Sequence, residues 1–294
     1  MQLRRSRGPW PFITWRVFQG LDQDLIVWRS RHHRKRLPIR PRGVSARPPI
    51  NLLRCLWMPA ELNWWIGVVF ALGSLCFLIG SLLSLSPPVS MRFGLATADL
   101  NAIFFIGSIP FTTAAYLQLL QAANSGSIES LRQRPRERLP AGRLRAEPAR
   151  FHWFGWKPAD IGWLSCALQF PGTLLFNINT FNGMRAGLGW TQQEVLIWIP
   201  DVLGSVLFLL SGALAFMEAG HAYWSWKPGH LSWWVTLINL IGCIGFMLAA
   251  INGTILPSTH AQADASLSLV YTAVGAMGFL IGSLLMLPES LIPS

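Results

Sequence analysis

Gly73-Ser-Leu-Cys-Phe77-Leu-Ile-Gly80-Ser81 is the stretch that decides how this chain is read. Its Gly, the Phe four residues on and the small residue three further recur as Gly107/Phe111/Ala114, Gly172/Phe176/Asn179, Gly204/Phe208/Ser211, Gly242/Phe246/Ala249 and Gly275/Phe279/Gly282. On a helix, positions i, i+4 and i+7 share one face, so each copy lays down a stripe of small, aromatic, small. In lipid, apolar burial does not draw helices together, and small residues matter because they let backbones approach. The stripe therefore reads as a helix contact face. One copy would carry no weight, and Gly212/Phe216 is such a stray match; six copies in six apolar runs read as repetition of an ancestral unit.

Composition agrees with that reading. Of 294 residues, 52% are hydrophobic and 13% charged, which places the chain among multi-pass membrane proteins. Six runs are long enough to span a bilayer: 62–85, 98–121, 160–183, 200–221, 232–255 and 267–287. The expected fold is all-α, a polytopic membrane protein of six transmembrane helices arranged as three pseudo-repeated two-helix hairpins. Cys76, Cys166 and Cys243 fall inside spans and Cys55 outside, so no disulfide framework is expected.

The net charge of +11 is distributed unevenly. Of 24 Lys and Arg, 13 precede the first span and eight lie between the second and third, with Lys227 between the fourth and fifth. Only Arg92 and Arg185 fall on the other side. By the positive-inside rule both termini are expected in the cytoplasm of a bacterial inner-membrane protein. The chain then divides into a basic tail (1–61), a first hairpin (62–123), a basic cytoplasmic linker (124–159), a second hairpin (160–221) and a third hairpin with a short C-terminal segment (222–294). Clustered Arg and Pro give the tail a composition that cannot bury a core, so it is expected to be partly disordered or to lie on anionic inner-leaflet lipid. Tethering to a membrane is the commoner use of such charge, so nucleic acid is not the expected partner.

In the first hairpin both helices carry Phe-x-x-Gly-Ser-x-x-Phe, as Phe70…Gly73-Ser74…Phe77 and Phe104…Gly107-Ser108…Phe111. Here the chain resembles the YrhK-like family of small bacterial membrane proteins, whose unit is a two-helix hairpin with a Phe/Trp-x-x-Gly-Ser signature. It departs from that pattern in having three hairpins and a long basic insert. The resemblance implies fold and location, and no chemistry. Glycine-to-glycine separations of 34, 32 and 33 residues within pairs, against 65 and 38 between them, independently mark the hairpin as the unit. Trp64, Trp163 and Trp233 each precede their motif Gly by nine residues, so the odd helices are expected to enter the membrane alike.

Chemistry is harder to place. Three residues before the motif Gly stand Gln169, Asp201, Asn239 and Thr272, with Phe70 and Phe104 in the first hairpin. Polar groups in hydrocarbon are costly unless partnered, so these should point into the bundle. Gln169, Asn177, Asn179, Asp201 and Asn239 are the candidate ligand-binding residues of one polar cavity; the competing reading is that the amides only join helix to helix. Asp201, following Pro200, is expected to cap the fourth helix, and Thr191-Gln-Gln-Glu194 matches a capping box for a short helix before it.

Fourteen residues after the motif Gly stand Gln121, Glu218 and Glu289, at equivalent inner ends of the even helices. Glu218-x-x-His221 is half of a carboxylate-bridged metal motif, but it occurs once, and the expectation is a solvated pair with no metal or cofactor. No phosphate-binding Gly loop, Cys-x-x-Cys, His-Glu-x-x-His or Gly-x-Ser-x-Gly occurs, so no enzyme is expected. The expected role is that of a structural or accessory protein, with the bilayer, anionic lipids and a protein partner or second copy as its contacts. The alternative is a small-solute transporter or ligand-binding receptor. A polar cavity at mid-membrane depth would favour the alternative, and a solid core of interlocked Gly and Phe the accessory role.

Overall fold

The computed structural model describes residues 2–19, 25–35, 37, 52–125, 151–256 and 261–291. Most of the expected linker, 126–150, lies outside the described residues. The chain opens with an antiparallel meander of β1 (Gln2–Arg7), β2 (Trp15–Gln19) and β3 (Leu25–Arg29), in which Trp15 pairs with both Arg7 and Arg29. A short helix, α1 (Ser30–Lys35), follows directly. Then come six long helices: α2 (Leu62–Leu85), α3 (Thr97–Ala123), α4 (Ile161–Gly183), α5 (Ile199–Gly220), α6 (Leu231–Asn252) and α7 (Ala265–Glu289). All six are long and apolar enough to cross a membrane, so the chain is an all-α polytopic membrane protein. A two-residue ladder, β4 (Ile255–Leu256) with β5 (Ala261–Gln262), joins α6 to α7.

Consecutive helices pack side by side, and α7 returns to α2, closing a six-helix ring. Within each hairpin the motif makes a reciprocal contact. A Cβ added to Gly73 would lie 2.6 Å from the Phe111 ring and 2.8 Å from the Gly107 carbonyl; one added to Gly107 would lie 3.1 Å from Phe77 and 3.1 Å from the Gly73 carbonyl. Gly172 and Gly204 stand in the same relation to Phe208 and Phe176, and Gly242 and Gly275 to Phe279 and Phe246. Each glycine is thus the seat for its partner's phenylalanine, with backbone close behind it. Gly80 and Gly282 instead seat Phe104 and Asn239.

The six motif phenylalanines are at most 5% exposed and meet across the ring. Centroid separations are 5.4 Å for Phe77–Phe111, 4.9 Å for Phe176–Phe208 and 5.7 Å for Phe246–Phe279 within hairpins, and 5.9 Å for Phe77–Phe246 and 5.6 Å for Phe111–Phe279 between them. Tilted and edge-to-face pairs of this kind add about 0.5–1.5 kcal/mol each beyond area burial. Large aliphatics such as Leu72, Ile79, Ile109, Leu203 and Ile281 face outward, where lipid replaces water as the solvent.

The odd-numbered spans, that is the first, third and fifth (α2, α4 and α6), share an entry turn: Trp57-Met-Pro59-Ala-Glu61-Leu-Asn-Trp64, Trp156-Lys-Pro158-Ala-Asp160-Ile-Gly-Trp163 and Trp226-Lys-Pro228-Gly-His230-Leu-Ser-Trp233. The second Trp of each donates its indole N–H back to a carbonyl, to Cys55 at 3.0 Å, Phe154 at 3.0 Å and Ser225 at 2.9 Å. Its ring also meets the exposed first Trp, 5.1–5.7 Å between centroids. The residue between Trp and Pro holds the end of the preceding even helix. Lys157 Nζ donates to Ser125 O just beyond α3 (2.8 Å), and Lys227 Nζ to Gly220 O of α5 (2.7 Å), where helix carbonyls carry partial negative charge. Met58 packs with Leu287 of α7.

Over its described residues the tail buries side chains. Val17 and Phe18 of β2 are buried, and Arg31, Arg34 and Lys35 of α1 are each 5% exposed inside the end of the ring. Composition pointed to disorder because it counted these cations as uncompensated; the fold supplies carboxylates for them.

Candidate functional site

Two cavities lie on the ring axis, one on either side of the phenylalanine layer, and all six long helices line each of them. The larger, about 630 Å³, opens at the end of the ring away from α1. Its polar wall includes Asn101, Asn179, Asp201 and Thr272, above Phe77, Phe176 and Phe246. Asn179 Nδ2 donates to Asp201 Oδ1 at 2.9 Å, joining α4 to α5, and Asn101 Nδ2 donates to the Gly183 carbonyl. The smaller cavity, about 60 Å³, lies between Phe208 and Phe279 on one side and Arg31, Arg34 and Lys35 on the other. Gln118, Gln169 and Asn239 line it.

The five candidate ligand-binding residues therefore do not share one cavity. Gln169 and Asn239 line the small one, Asn179 and Asp201 the large one, and Asn177 sits between α3 and α4, donating to Thr112 Oγ1 at 2.9 Å. The reason is the antiparallel hairpin. Three residues before the motif Gly lies toward the α1 end on odd helices and away from it on even ones. Phe70, Gln169 and Asn239 accordingly fall on one side of the aromatic layer, and Phe104, Asp201 and Thr272 on the other.

Asp201 is not a helix cap. The turn Trp190–Gln193 and the π-helical segment Glu194–Trp198 run without a break into α5, so Pro200 stands inside one rod rather than at its start. A π-turn is a usual accommodation of such an interruption. The helix begins at Trp190, with Gln192 Oε1 accepting from Gly189 N at 3.1 Å, so Thr191 is not the cap either.

The α1 end is closed by charge. Arg34 Nη2 meets Glu218 Oε2 at 2.7 Å, and Ser30 Oγ donates to Glu218 Oε1 at 2.6 Å. Arg31 Nη2 and Lys35 Nζ meet the two oxygens of Glu289 at 3.0 and 2.9 Å. Glu218 is 0% and Glu289 2% exposed, which corrects the expectation of a solvated Glu218. Burial alone would lower the basicity of Arg34; the Glu218 charge overcomes this and raises it. For Lys35, burial and then the neighbouring Arg31 prevail over Glu289, and its pKa is lowered to about 8. Gln121, the third member of the equivalent set, keeps Oε1 buried without a partner among the described residues.

His221 parts company with Glu218. It closes α5 in the left-handed conformation (φ 58°), and its Nδ1 lies 3.0 Å from Thr14 Oγ1 of the loop before β2. Burial, then Lys227 and Arg29, lower its pKa to about 3, and burial followed by Arg29 lowers that of His32 to about 4. Among the described residues no group of three or more His, Cys, Asp or Glu is placed to hold one metal ion.

The sequence located Gln121, Glu218 and Glu289 as equivalents but not their partners, which come from a helix up to 258 residues away. The eight-residue entry turn was legible in full, since Trp-x-Pro and the second Trp keep one spacing in all three copies. No protein-family model matches the chain, and no curated protein or solved structure is significantly similar to it.

Proposed function

We propose that this chain is a non-enzymatic membrane transport protein whose path for a small polar solute runs along the ring axis and is shut in this conformation. The observation that carries the reading is the series along that axis: a polar cavity, one aromatic layer, a second polar cavity and the charged plug of α1. Amides, hydroxyls, Arg185 and Asp201, the one carboxylate among the described residues of the larger cavity's wall, suit a small solute bearing hydroxyl, amide or amine groups. The basic end faces the cytoplasm of a bacterial inner membrane by the charge rule, with anionic lipid against the Trp-Lys-Pro turns. Three matching hairpins and three matching entry turns support descent from one duplicated hairpin, the unit of the YrhK-like resemblance.

A second reading, the accessory protein, is favoured by the layer itself, which is solid and interlocked. Flux separates the two. In liposomes carrying the purified protein, Phe208→Leu and Phe246→Leu should raise glycerol, urea or potassium permeability over wild type, because each removes a ring from the layer. Thermal unfolding shows whether the variants are folded. Folded variants that pass none of the three solutes faster than protein-free liposomes would return the chain to the accessory role.

A further inference from the structure

Off the axis, a third cavity of about 410 Å³ lies between the N-terminal sheet and the α5–α6 turn, within the roughly 300–1,000 Å³ common for small-ligand sites. Arg7 and Arg29 reach it from the strands, Lys227, His221 and His230 from the turn, and Ser225 lies among them. Arg31 also lines it but is committed to Glu289. No Asp or Glu is among the described residues of its wall.

That absence is particular to this turn. The matching cavity at the α4 entry, about 560 Å³, places Asp160 where His230 stands here. The cations crowded here repel one another. Burial first, then Arg29 and Arg7, lower the pKa of Lys227, and burial, then Arg29 and Lys227, lower that of His230. Donors remain for a ligand: the Lys227 ammonium has three N–H groups and spends one on the Gly220 carbonyl. Ser225 Oγ is buried with no hydrogen-bond partner among the described residues, and a buried hydroxyl left unmet is destabilising. The Arg7 guanidinium lies over the Trp15 ring, 5.8 Å from its centroid, which steadies its position.

We propose that this cavity binds a phosphate group, as a mono- or diester, with Arg7, Arg29 and Lys227 as charge partners and Ser225 as hydroxyl donor. Phosphate offers several acceptor oxygens and the opposite charge, and Arg with Lys is the pairing that recognises it. The inference stands apart from transport, since the cavity is not on the axis.

The full chain in neutral detergent tests it by thermal unfolding. One arm compares inorganic phosphate with chloride at equal ionic strength; the other compares added phosphatidylglycerol with phosphatidylcholine. A midpoint raised by several degrees in the phosphate arm assigns a soluble phosphate compound, and one raised only in the phosphatidylglycerol arm assigns a lipid headgroup. Either gain should be lost in Lys227→Gln and in Arg7→Gln; the second changes an exposed strand residue and keeps the test alive if the first fails to fold. Wild type that responds to neither addition, or an Arg7→Gln variant that responds as wild type does, overturns the proposal.

Discussion

The two ends of the ring are finished in different ways. At the α1 end three cations and two carboxylates are driven into the bundle and paired with one another. At the far end a cavity of about 630 Å³ is held by single amide contacts such as Asn179 to Asp201. The first end trades solvation for ion pairs and tolerates no missing partner; the second needs only one hydrogen bond per group. The difference separates closure from adaptability, and it can be broken experimentally from either side.

The largest effect is expected at the charged end. Glu289→Ala leaves Arg31 and Lys35 buried without their carboxylate, and breaking a buried pair typically costs about 3–5 kcal/mol. Asp201→Asn at the far end should cost about 1 kcal/mol or less, because Asn can still accept from Asn179. Thermal unfolding of both variants checks the contrast, and equal costs would erase it.

Between the two ends, Gly107→Leu should cost about 1–3 kcal/mol, since even a Cβ would stand 2.7 Å from Cys76 Cβ and 3.1 Å from the Gly73 carbonyl. Gly229→Ala in the α6 entry turn meets nothing within 4 Å and should be neutral. Unchanged folded yield and melting in Gly107→Leu would mean that the hairpin stripe does not set the packing.

The most localised effect is expected from acid, at the α1 end. His221 and His32 are held neutral, with pKa values of about 3 and 4 against an ordinary 6.5. Between those limits the undocked state, with His32 of the tail and His221 at the end of α5 both freed, binds protons that the docked one does not, so docking weakens as pH falls from about 6.5 toward 4. Arg29, Lys227, Glu218 and Thr14 are the groups around His221. Amide-exchange protection factors, corrected for the intrinsic pH dependence of exchange, should fall at residues 15–19 at pH 5 while those at 172–179 hold; the reverse order would place the weak point elsewhere.

Much of this fold could be read from residue pattern alone. Apolar runs of bilayer length placed the first helix at 62–85 and the last within two residues of each end of Ala265–Glu289. Periodicity works there because spans and hairpins are local. The α1 plug was not legible, since nothing in Arg31, Arg34 and Lys35 states whether lipid, water or a distant carboxylate will neutralise them. Asp201 misled for the opposite reason. Its local signal, a carboxylate after Pro, is real for a helix start, but the π-turn before it carries the helix through. The polar five were scattered by strand-like alternation of helix direction, which face counting along one helix does not register.

The pairing of Lys35 with Glu289 joins positions 254 residues apart in a chain made from one end. During synthesis the plug helix leaves the ribosome before any span exists, whereas its second carboxylate emerges with the last one. Arg31 and Lys35 must therefore wait, solvated or held by something else, until α7 is in place. Arg34 can find Glu218 one hairpin earlier, so the plug is seated in two steps, first against α5 and then against α7.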